Sequence, residues 1–564
     1  MNAETIIRNM DKLRADRSLL NSRLEEVSNY AVPEKCGNFF DSALINQDGE
    51  DKPRDVIIDI VSEANSTFAN GMFSNLCPPG VKSFHYSPVG ENAKDNKTIR
   101  DWFSAASQTV FELMGKSNFT TEISEAFEDF GWAGTVNTAI EEDPQRVFRF
   151  MTYHISEYYI REDANKIIDQ VYREFKQSAL QIVGKYNLPD DDIPEKIASD
   201  AKSSEYSSNG KQYTLIHVVY PNPDFRKLND DGEPMVGNKH KAWRSVTVCR
   251  ETKSIIRDSG MDHMPYCVAR LQKRSKSAYG FSPGLRVRRS AGILNQAINA
   301  ILMGGQRAID PPPMLDVSAY KGGLKPTFYN YPGAVNLYDS AGGAKPPSFA
   351  PVPTNFPVGL ELVQMFEKDV HGAYMVNLFQ MLQQLSENTN RDKTAYEVMQ
   401  LVSEKYTMII PVVARIIEEY FQSLHIKAFY MAYNAGKLGV APKGLLDENG
   451  NFDVDVTFDS PLALAAQRSQ LKSVFDASAA VLQIDQQGLD WLNLDKFTQF
   501  VFESYGVSGD FMRSETEVQQ IREARQKAMQ EQLAQQQMAD VAKAQDLNKA
   551  PEGGSIASMV GGTL

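Results

Sequence analysis

Near the start of the chain, apolar residues fall at Ile6, Ile7, Met10, Leu13, Leu19, Leu20, Leu24 and Val27, with polar faces between them. That spacing predicts an amphipathic helix over residues 3–31. Val32-Pro33 ends it, because the residue before a proline is pushed out of the α region. A second helix is predicted from about Arg54 to Asn75, rich in small residues (Ala64, Ala69, Gly71) and stopped by Cys77-Pro78-Pro79-Gly80. A third covers about Asn96 to Met114 and a fourth about Asn118 to Phe130.

From Arg146 the pattern shortens and turns aromatic and β-branched. Val147-Phe148-Arg149-Phe150 and Glu157-Tyr158-Tyr159-Ile160 read as strands. The turn Glu162-Asp163-Ala164-Asn165 leads to Ile167, Ile168, Val171 and Tyr172, either a hairpin partner or a short helix. Further strands are predicted at Tyr213–Tyr220, Trp243–Cys249, Ser254–Ile256 and Tyr266–Leu271. Asp190–Gly210 reads as a polar, exposed linker.

Cys267–Ile309 carries Arg270, Lys273, Arg274, Lys276, Arg286, Arg288, Arg289 and Arg307 and no Asp or Glu. Its second half has Val287, Ala291, Leu294, Ile298, Ile301 and Gly305 at helical spacing. A helix over 286–309 would be about 36 Å long. Asp310-Pro311-Pro312-Pro313 stops it. Residues 311–357 hold ten prolines and the cluster Phe328-Tyr329-Asn330-Tyr331, a turn-rich insert with aromatics to bury. A helix over 358–378 follows, with Leu360, Val363, Phe366, Val370 and Tyr374 on one side and a span of roughly 31 Å. Two rods of similar length around a small module should run antiparallel and project it. An ordinary helical hairpin with a long surface loop fits the spacing equally well.

Residues 380–393 are polar. Thr394-Ala395-Tyr396-Glu397 is a capping box that opens a helix running to a stop at Gly436, with a kink expected at Pro411. Residues 462–512 are helical in spacing. Glu515–Leu547 is rich in Gln, Ala and charge, a solvated or self-associating helix, and Gly553–Leu564 is expected to be mobile.

A chain of 564 residues exceeds the roughly 250–300 at which single cores stop growing, so several folded units are expected. The formal net charge is −13, which argues against a surface that grips nucleic acid throughout. A pore through which DNA slides is still allowed, because a dense basic lining would hold the strand and a neutral or acidic one would let it pass. No apolar run approaches the ~18–20 residues of a membrane span, and the first helix has no signal-peptide core. The four cysteines (Cys36, Cys77, Cys249, Cys267) form no CxxC pair and read as reduced structural thiols of a protein made in a cytoplasm.

Motifs that imitate catalytic sites fail on inspection. Gly280-Phe281-Ser282-Pro283-Gly284 matches a hydrolase elbow, but the oxyanion hole needs an N–H after the serine and Pro283 has none. Gly115-Lys116-Ser117 resembles the end of a phosphate loop, yet Val110 stands where that motif requires glycine. Cys249, His263 and Cys267 lack a fourth zinc ligand, which favours core thiols and a surface histidine. Glu141-Glu142-Asp143 and Asp190-Asp191-Asp192 read as solvated turns.

Several local signatures, in order, resemble the portal (head-to-tail connector) family of short-tailed bacteriophages over about residues 5–480. They are Ala69-Asn70-Gly71-Met72 through Leu76-Cys77-Pro78-Pro79, then Glu157-Tyr158-Tyr159-Ile160 followed by Val171-Tyr172-Arg173-Glu174-Phe175. The strongest are Tyr279-Gly280-Phe281-Ser282-Pro283-Gly284 and Ala308-Ile309-Asp310-Pro311-Pro312, with Thr394-Ala395-Tyr396-Glu397-Val398 completing the set. Where family members commonly carry a tryptophan after the first Pro-Pro, this chain has Phe84-His85-Tyr86.

The resemblance implies an α+β, mainly helical portal-type subunit with a β-rich wing, two antiparallel stem helices, a Pro-rich clip and a helical crown, assembling as a ring. Residues 1–281 and 394–460 would be wing, the second part a long kinked helix. Residues 282–309 and 358–379 would be stem, 310–357 clip, 380–393 tunnel loop, 461–514 crown and 515–564 a Gln-rich extension. The implied protein is no enzyme and takes no cofactor or metal. It is a homo-oligomer, dodecameric in the family, at the portal vertex of the virion capsid, made in the host bacterial cytoplasm. Double-stranded DNA passes through the ring in genome packaging and ejection, terminase and then tail adaptor proteins dock on it, and major capsid and scaffold proteins surround it, with no membrane involved. Gln383, Gln384, Asn388, Asn390 and Arg391 would face DNA from the tunnel loop. Lys321, Lys325, Tyr329, Tyr331 and Lys345 would meet partners at the clip. The stem arginines Arg286, Arg288, Arg289 and Arg307 would touch phosphates or, the favoured reading, pair with acids of neighbouring subunits and the shell. The competing readings are a tail adaptor or internal scaffold, which need no helix–insert–helix unit, and a DNA-processing enzyme, which needs a metal or nucleotide constellation.

Overall fold

The structure, a computed structural model, describes residues 1–35, 56–89, 96–186, 194–203, 211–225, 237–316, 331–340, 357–380, 409–442, 452–458 and 515–547, with isolated positions between 318 and 329, at 445 and between 471 and 502. Helix α1 (Ala3–Ala31) matches its predicted span, and the Asn2 side chain caps it by accepting the Thr5 N–H at 3.0 Å. Its buried face includes Ile6, Met10, Leu24 and Val27, whereas Leu19 faces solvent and Arg17 takes a core position. Arg17 Nη1 donates to the Tyr158 carbonyl at 2.6 Å, and its guanidinium lies 3.9 Å from the Tyr159 ring centre. Helix α2 (Ile60–Leu76) starts later than the spacing predicts, because residues 56–59 are not helical. Strand β1 (Phe84–Pro88) was not expected, and helices α3 (Lys97–Lys116) and α4 (Phe119–Trp132) were.

Strand β2 (Thr135–Asp143) is central and invisible to a search for alternation, because its first six residues are all buried. It takes Glu141 and Glu142 out of the turn assigned to them and into a strand. β2 pairs antiparallel with β3 (Val147–Tyr153) and β9 (Tyr266–Arg270), giving the order β3-β2-β9. A second sheet is antiparallel throughout. It runs β4 (Tyr158–Glu162), β5 (Ile168–Ser178), β6 (Gln212–Pro221), β7 (Trp243–Cys249) and β8 (Ser254–Met261). The strand alternative therefore holds for residues 168–178. Helix α5 (Ala179–Tyr186) precedes the stretch read as an exposed linker, and helix α6 (Glu195–Ser203) within it corrects that reading, since Ile197, like Ile182 of α5, is fully buried in one cluster with Tyr213 and Leu215. The polar composition of that stretch hid one apolar residue per helical turn.

Helix α7 (Pro283–Ile309) leaves the body, and a short parallel pair, β10 (Met314–Asp316) with β11 (Asn336–Tyr338), organises the described part of the Pro-rich insert. Helix α8 (Pro357–Ala373) returns. It stops earlier than expected, at Tyr374-Met375, where Met375 adopts φ +56°, before a further helical turn to 380. Gly284 at the start of α7 abuts Tyr374 just past the end of α8, and the two helices pack together, so they run antiparallel.

Helix α9 (Ile410–Ile416), a π-helical turn (Ile417–Phe421) and α10 (Gln422–Asn434) are continuous. Pro411 stands in the first turn of α9, where its missing N–H costs nothing, and residues 394–408, on which a kink at that point depends, lie outside the described residues. Within the described part of the run the irregularity is the π turn. The stop at Gly436 is real: φ is +70°, and the Lys437 N–H reaches the Ala432 carbonyl at 3.0 Å. Strand β12 (Val454–Phe458) pairs with β1, and helix α11 (Glu515–Leu547) is largely exposed. The capping box at 394–397 lies outside the described residues.

The main core joins α1's second half, α2–α4, the β3-β2-β9 sheet, the root of α7, the end of α8 and α9–α10. The start of α1 covers one face of the larger sheet through Ile216 and Val218, and α5–α6 cover Leu215 on the opposite face. Within the main core, Asp129 is buried, accepting the Trp132 indole N–H at 2.8 Å with Lys35 Nζ at 3.5 Å. Lys35 also pairs with Glu128 at 2.7 Å and Glu125 at 3.3 Å. Loss of hydration raises Asp129 from 3.8 to about 6, more than the shared Lys35 can lower it.

A carboxyl raised in the fold binds its proton more tightly there than in the unfolded chain. Its stabilising effect is complete below 3.8 and is lost as pH rises through about 6. Denaturant titrations of wild type and Asp129→Asn should therefore diverge with pH. As pH falls from 7 to 4, wild type should gain on the variant by on the order of 3 kcal/mol, and a constant difference would contradict the assignment.

Candidate functional site

The basic helix leaves the body at a joint made of backbone. A Cβ on Gly280 would stand 2.0 Å from the Gly134 carbonyl oxygen, and Gly134 itself has φ +75° under the Phe281–Ser282 peptide. Glycine is required at both positions. The Gly280 N–H donates to Thr135 Oγ1 at 2.8 Å. Ser282 Oγ donates to the Trp132 carbonyl at 2.6 Å and accepts the Leu285 N–H at 2.9 Å, capping α7 with Pro283 in its first turn. The apparent hydrolase elbow is thus a helix cap. Arg274 stacks on Phe281, 3.2 Å from its ring centre.

One step before the joint, Arg270 is buried in a carboxylate fork. Its Nε and Nη2 donate to Glu419 at 3.1 and 2.8 Å, its backbone N–H donates to the same group at 3.0 Å, and Nη1 pairs with Glu162. Arg415 and Lys273 join at 3.2 Å each. The cluster ties β9, the β4–β5 hairpin and the π turn, and the sequence analysis did not find it. The excess of basic residues from 267 onward was the available signal, but nothing local pointed to Glu162 or Glu419.

Beyond the joint the hairpin is thin. Val287, Ala291 and Leu294 are buried on α7 near the body. Further out, Leu302, Met303 and Ile309 are 46%, 38% and 86% exposed, and Leu360, Leu362 and Met365 on α8 are 55%, 42% and 50% exposed. Arg286 and Arg289 face solvent, Arg307 is half-buried, and Arg288 pairs with Glu26 of α1 in its own chain. Across from them α8 offers Glu361, Glu367 and Asp369. In the insert, Tyr329 and Tyr331 are exposed with ring centres 5.7 Å apart, and Asn336 holds Tyr329 from both sides at 2.5 and 3.1 Å. Lys321, Lys325 and Lys345, and the loop residues Gln383, Gln384, Asn388, Asn390 and Arg391, lie outside the described residues.

The remaining chemical candidates are dispersed. Cys249 belongs to the larger sheet and Cys267 to the smaller, while His263 is half-buried against Tyr430, the rings tilted by 36° with centres 4.2 Å apart. His425 is buried and His217 half-buried, and desolvation pushes both down to about 3. Ser117 caps the end of α3 by donating to the Met114 carbonyl at 2.7 Å. No described helix is long and apolar enough to cross a membrane.

A body of packed sheets and helices that projects a helical hairpin with an unburied apolar flank is the architecture of an assembly subunit. Residues 3–513 match the family described as bacteriophage head to tail connecting protein. The chain belongs to that family, whose members are structural components of the phage particle and not enzymes. It is 24% identical over 553 residues to the portal protein of Salmonella phage epsilon15, covering 93% of this chain and 92% of that one. It is also 25% identical over 545 residues to the probable portal protein of Bordetella phage BPP-1, covering 93% of this chain and 91% of that one.

Removing the Arg270 head group leaves two carboxylates short of their main partner. Arg270→Met should cost about 3 kcal/mol, the low end for breaking a buried ion pair because Arg415 and Lys273 remain. Chemical denaturation reads this directly. Gly280→Ala should cost a further 1–3 kcal/mol, roughly, through overpacking against rigid backbone.

Proposed function

We propose that this chain is a phage portal protein: copies of it form a ring channel at one capsid vertex, through which double-stranded DNA enters and leaves. The unburied apolar flank of the hairpin carries this reading. Six large apolar residues left in water on two helices are poorly tolerated in a monomer and are explained by a neighbouring copy. The charges agree. α7 carries only cations between Pro283 and Ile309, α8 is mainly acidic, and their antiparallel run brings Arg286 and Arg289 to the level of Glu367 and Asp369. In a ring, α7 of one copy would face α8 of the next.

In this reading the ring is a dodecamer, α7 and α8 are the stem, residues 310–357 the clip, and 380–393 the tunnel loop. Residues 1–281 and 394–460 form the wing, and 461–514 with 515–564 the crown and its extension. Terminase and then tail adaptor proteins dock at the clip, where Tyr329, Tyr331, Lys321, Lys325 and Lys345 stand. Capsid and scaffold proteins surround the wing. The amides of Gln383, Gln384, Asn388 and Asn390 trade hydrogen bonds with phosphates or water without strong attraction, so DNA slides.

Negative-stain images of the purified protein should show rings with a central hole, whereas a monomer with nuclease activity would defeat the reading. The double variant Arg286→Glu, Arg289→Glu should lose rings, as should Glu367→Arg, Asp369→Arg, and combining the four changes should restore them in size-exclusion profiles. If instead alanine at Arg286 and Arg289 leaves rings intact but alters DNA retention, these arginines contact phosphate. Lysine at Gln383 and Gln384 should slow DNA release, with the effect weakening as salt rises.

A further inference from the structure

Lys427 on α10 is buried, and among the described residues no carboxylate answers it. Its Nζ donates to the Tyr266 carbonyl at 2.8 Å and to Cys267 Sγ at 3.2 Å. Cys267 is itself fully buried on β9, and its sulfur also has the Ser423 hydroxyl at 3.9 Å. A buried amine is ordinarily matched to an acid, since desolvating its charge is expensive. Here it is matched to a thiol instead, in van der Waals contact and aligned by a backbone carbonyl. The other described cysteines, Cys77 and Cys249, are free and lie on other elements.

We propose that Cys267 and Lys427 form a redox pair that dioxygen closes into a covalent sulfur–oxygen–nitrogen bridge. The thiol gives up its S–H and the amine gives up one N–H, while one S–O and one O–N bond form. Dioxygen takes four electrons, two from sulfur and two from nitrogen. One of its oxygen atoms becomes the bridge and the other leaves as water with the two hydrogens. Excess thiol reductant reverses the reaction, returning thiol and amine and releasing the bridging oxygen as water. Dioxygen is small and apolar, so it can enter a core that excludes charged oxidants. The surrounding protein also keeps out the second thiol and the water that carry an exposed cysteine on to disulfide or sulfinic acid. The closed bridge would fasten β9 to α10 about two helical turns beyond Glu419, the partner of Arg270. The inference rests on this contact and stands whether or not the ring reading does.

The test uses the full chain, purified in air or anaerobically with reductant, digested with trypsin and read by mass spectrometry. In the aerobic sample, the peptide Asp258–Arg270 should be joined to a peptide spanning Ile416–Lys437, because cleavage after Lys427 is blocked. Its mass should equal the two peptides plus one oxygen less two hydrogens. Reductant should abolish it, and so should Cys267→Ser or Lys427→Arg. Aerobic protein should also melt at a higher temperature than reduced protein, a gap absent from Cys267→Ser. Recovery of Cys267 as free thiol, disulfide or sulfinic acid after aerobic or peroxide exposure, with Lys427 cleaved normally, would overturn the proposal, and this readout does not depend on the variants folding.

Discussion

The architecture turns on the contact between two peptide backbones at Gly134 and Gly280. The turn after α4 and the segment before α7 approach so closely that neither position has room for a Cβ. A contact between backbones has no rotamers to relax, so it sets the direction in which the hairpin leaves the body far more sharply than side-chain packing would. Everything beyond depends on that direction. Ser282 can cap α7 only because its hydroxyl is held on the Trp132 carbonyl, and Tyr374 can close the root of α8 only because Gly284 leaves space for it.

Much of this was legible in the residues. Proline, glycine and capping residues mark boundaries by local stereochemistry, so α1, α3, α4, α7 and the Gly436 stop fall where the pattern places them. The motif at 280–284 was recognised as a structural signature for the same reason: Pro283 excludes the catalytic alternative. What failed was long-range. β2 is buried on both faces and has no alternation to read. β1 and β12 are far apart in the chain and pair only because both edge the aromatic cluster around Phe429. Arg270's partners, Glu162 and Glu419, are distant in sequence and brought together by the fold.

The charge distribution shows why a net total misleads. The chain is acidic overall, yet the segment that ends in α7 carries cations and no Asp or Glu. Some are consumed within the chain: Arg270 by two glutamates, Arg288 by Glu26, and Arg274 by the Phe281 face. Arg286 and Arg289 are left in water. The division between spent and unspent charge follows what each side of the helix faces and not distance along it, since Arg288, on the side toward α1, is paired while Arg286 and Arg289 beside it face solvent.

The way the hairpin is held at its root bears on how a displacement would travel. A hairpin embedded along its whole length would move only with its core. This one is gripped at its root by a carboxylate fork, a serine cap and two glycines, while its outer half has little to hold it. A thin lever on a stiff joint transmits displacement from tip to body. The body end of that path is Glu419, in the π turn leading into α10, and a π turn is the part of a helix most easily exchanged for regular α geometry. A push at the insert would therefore reach the strand-and-helix pair at Arg270 and Glu419 before it was dissipated in packing. Several ion pairs meet there, so the hold on β9, the β4–β5 hairpin and the π turn does not rest on a single contact.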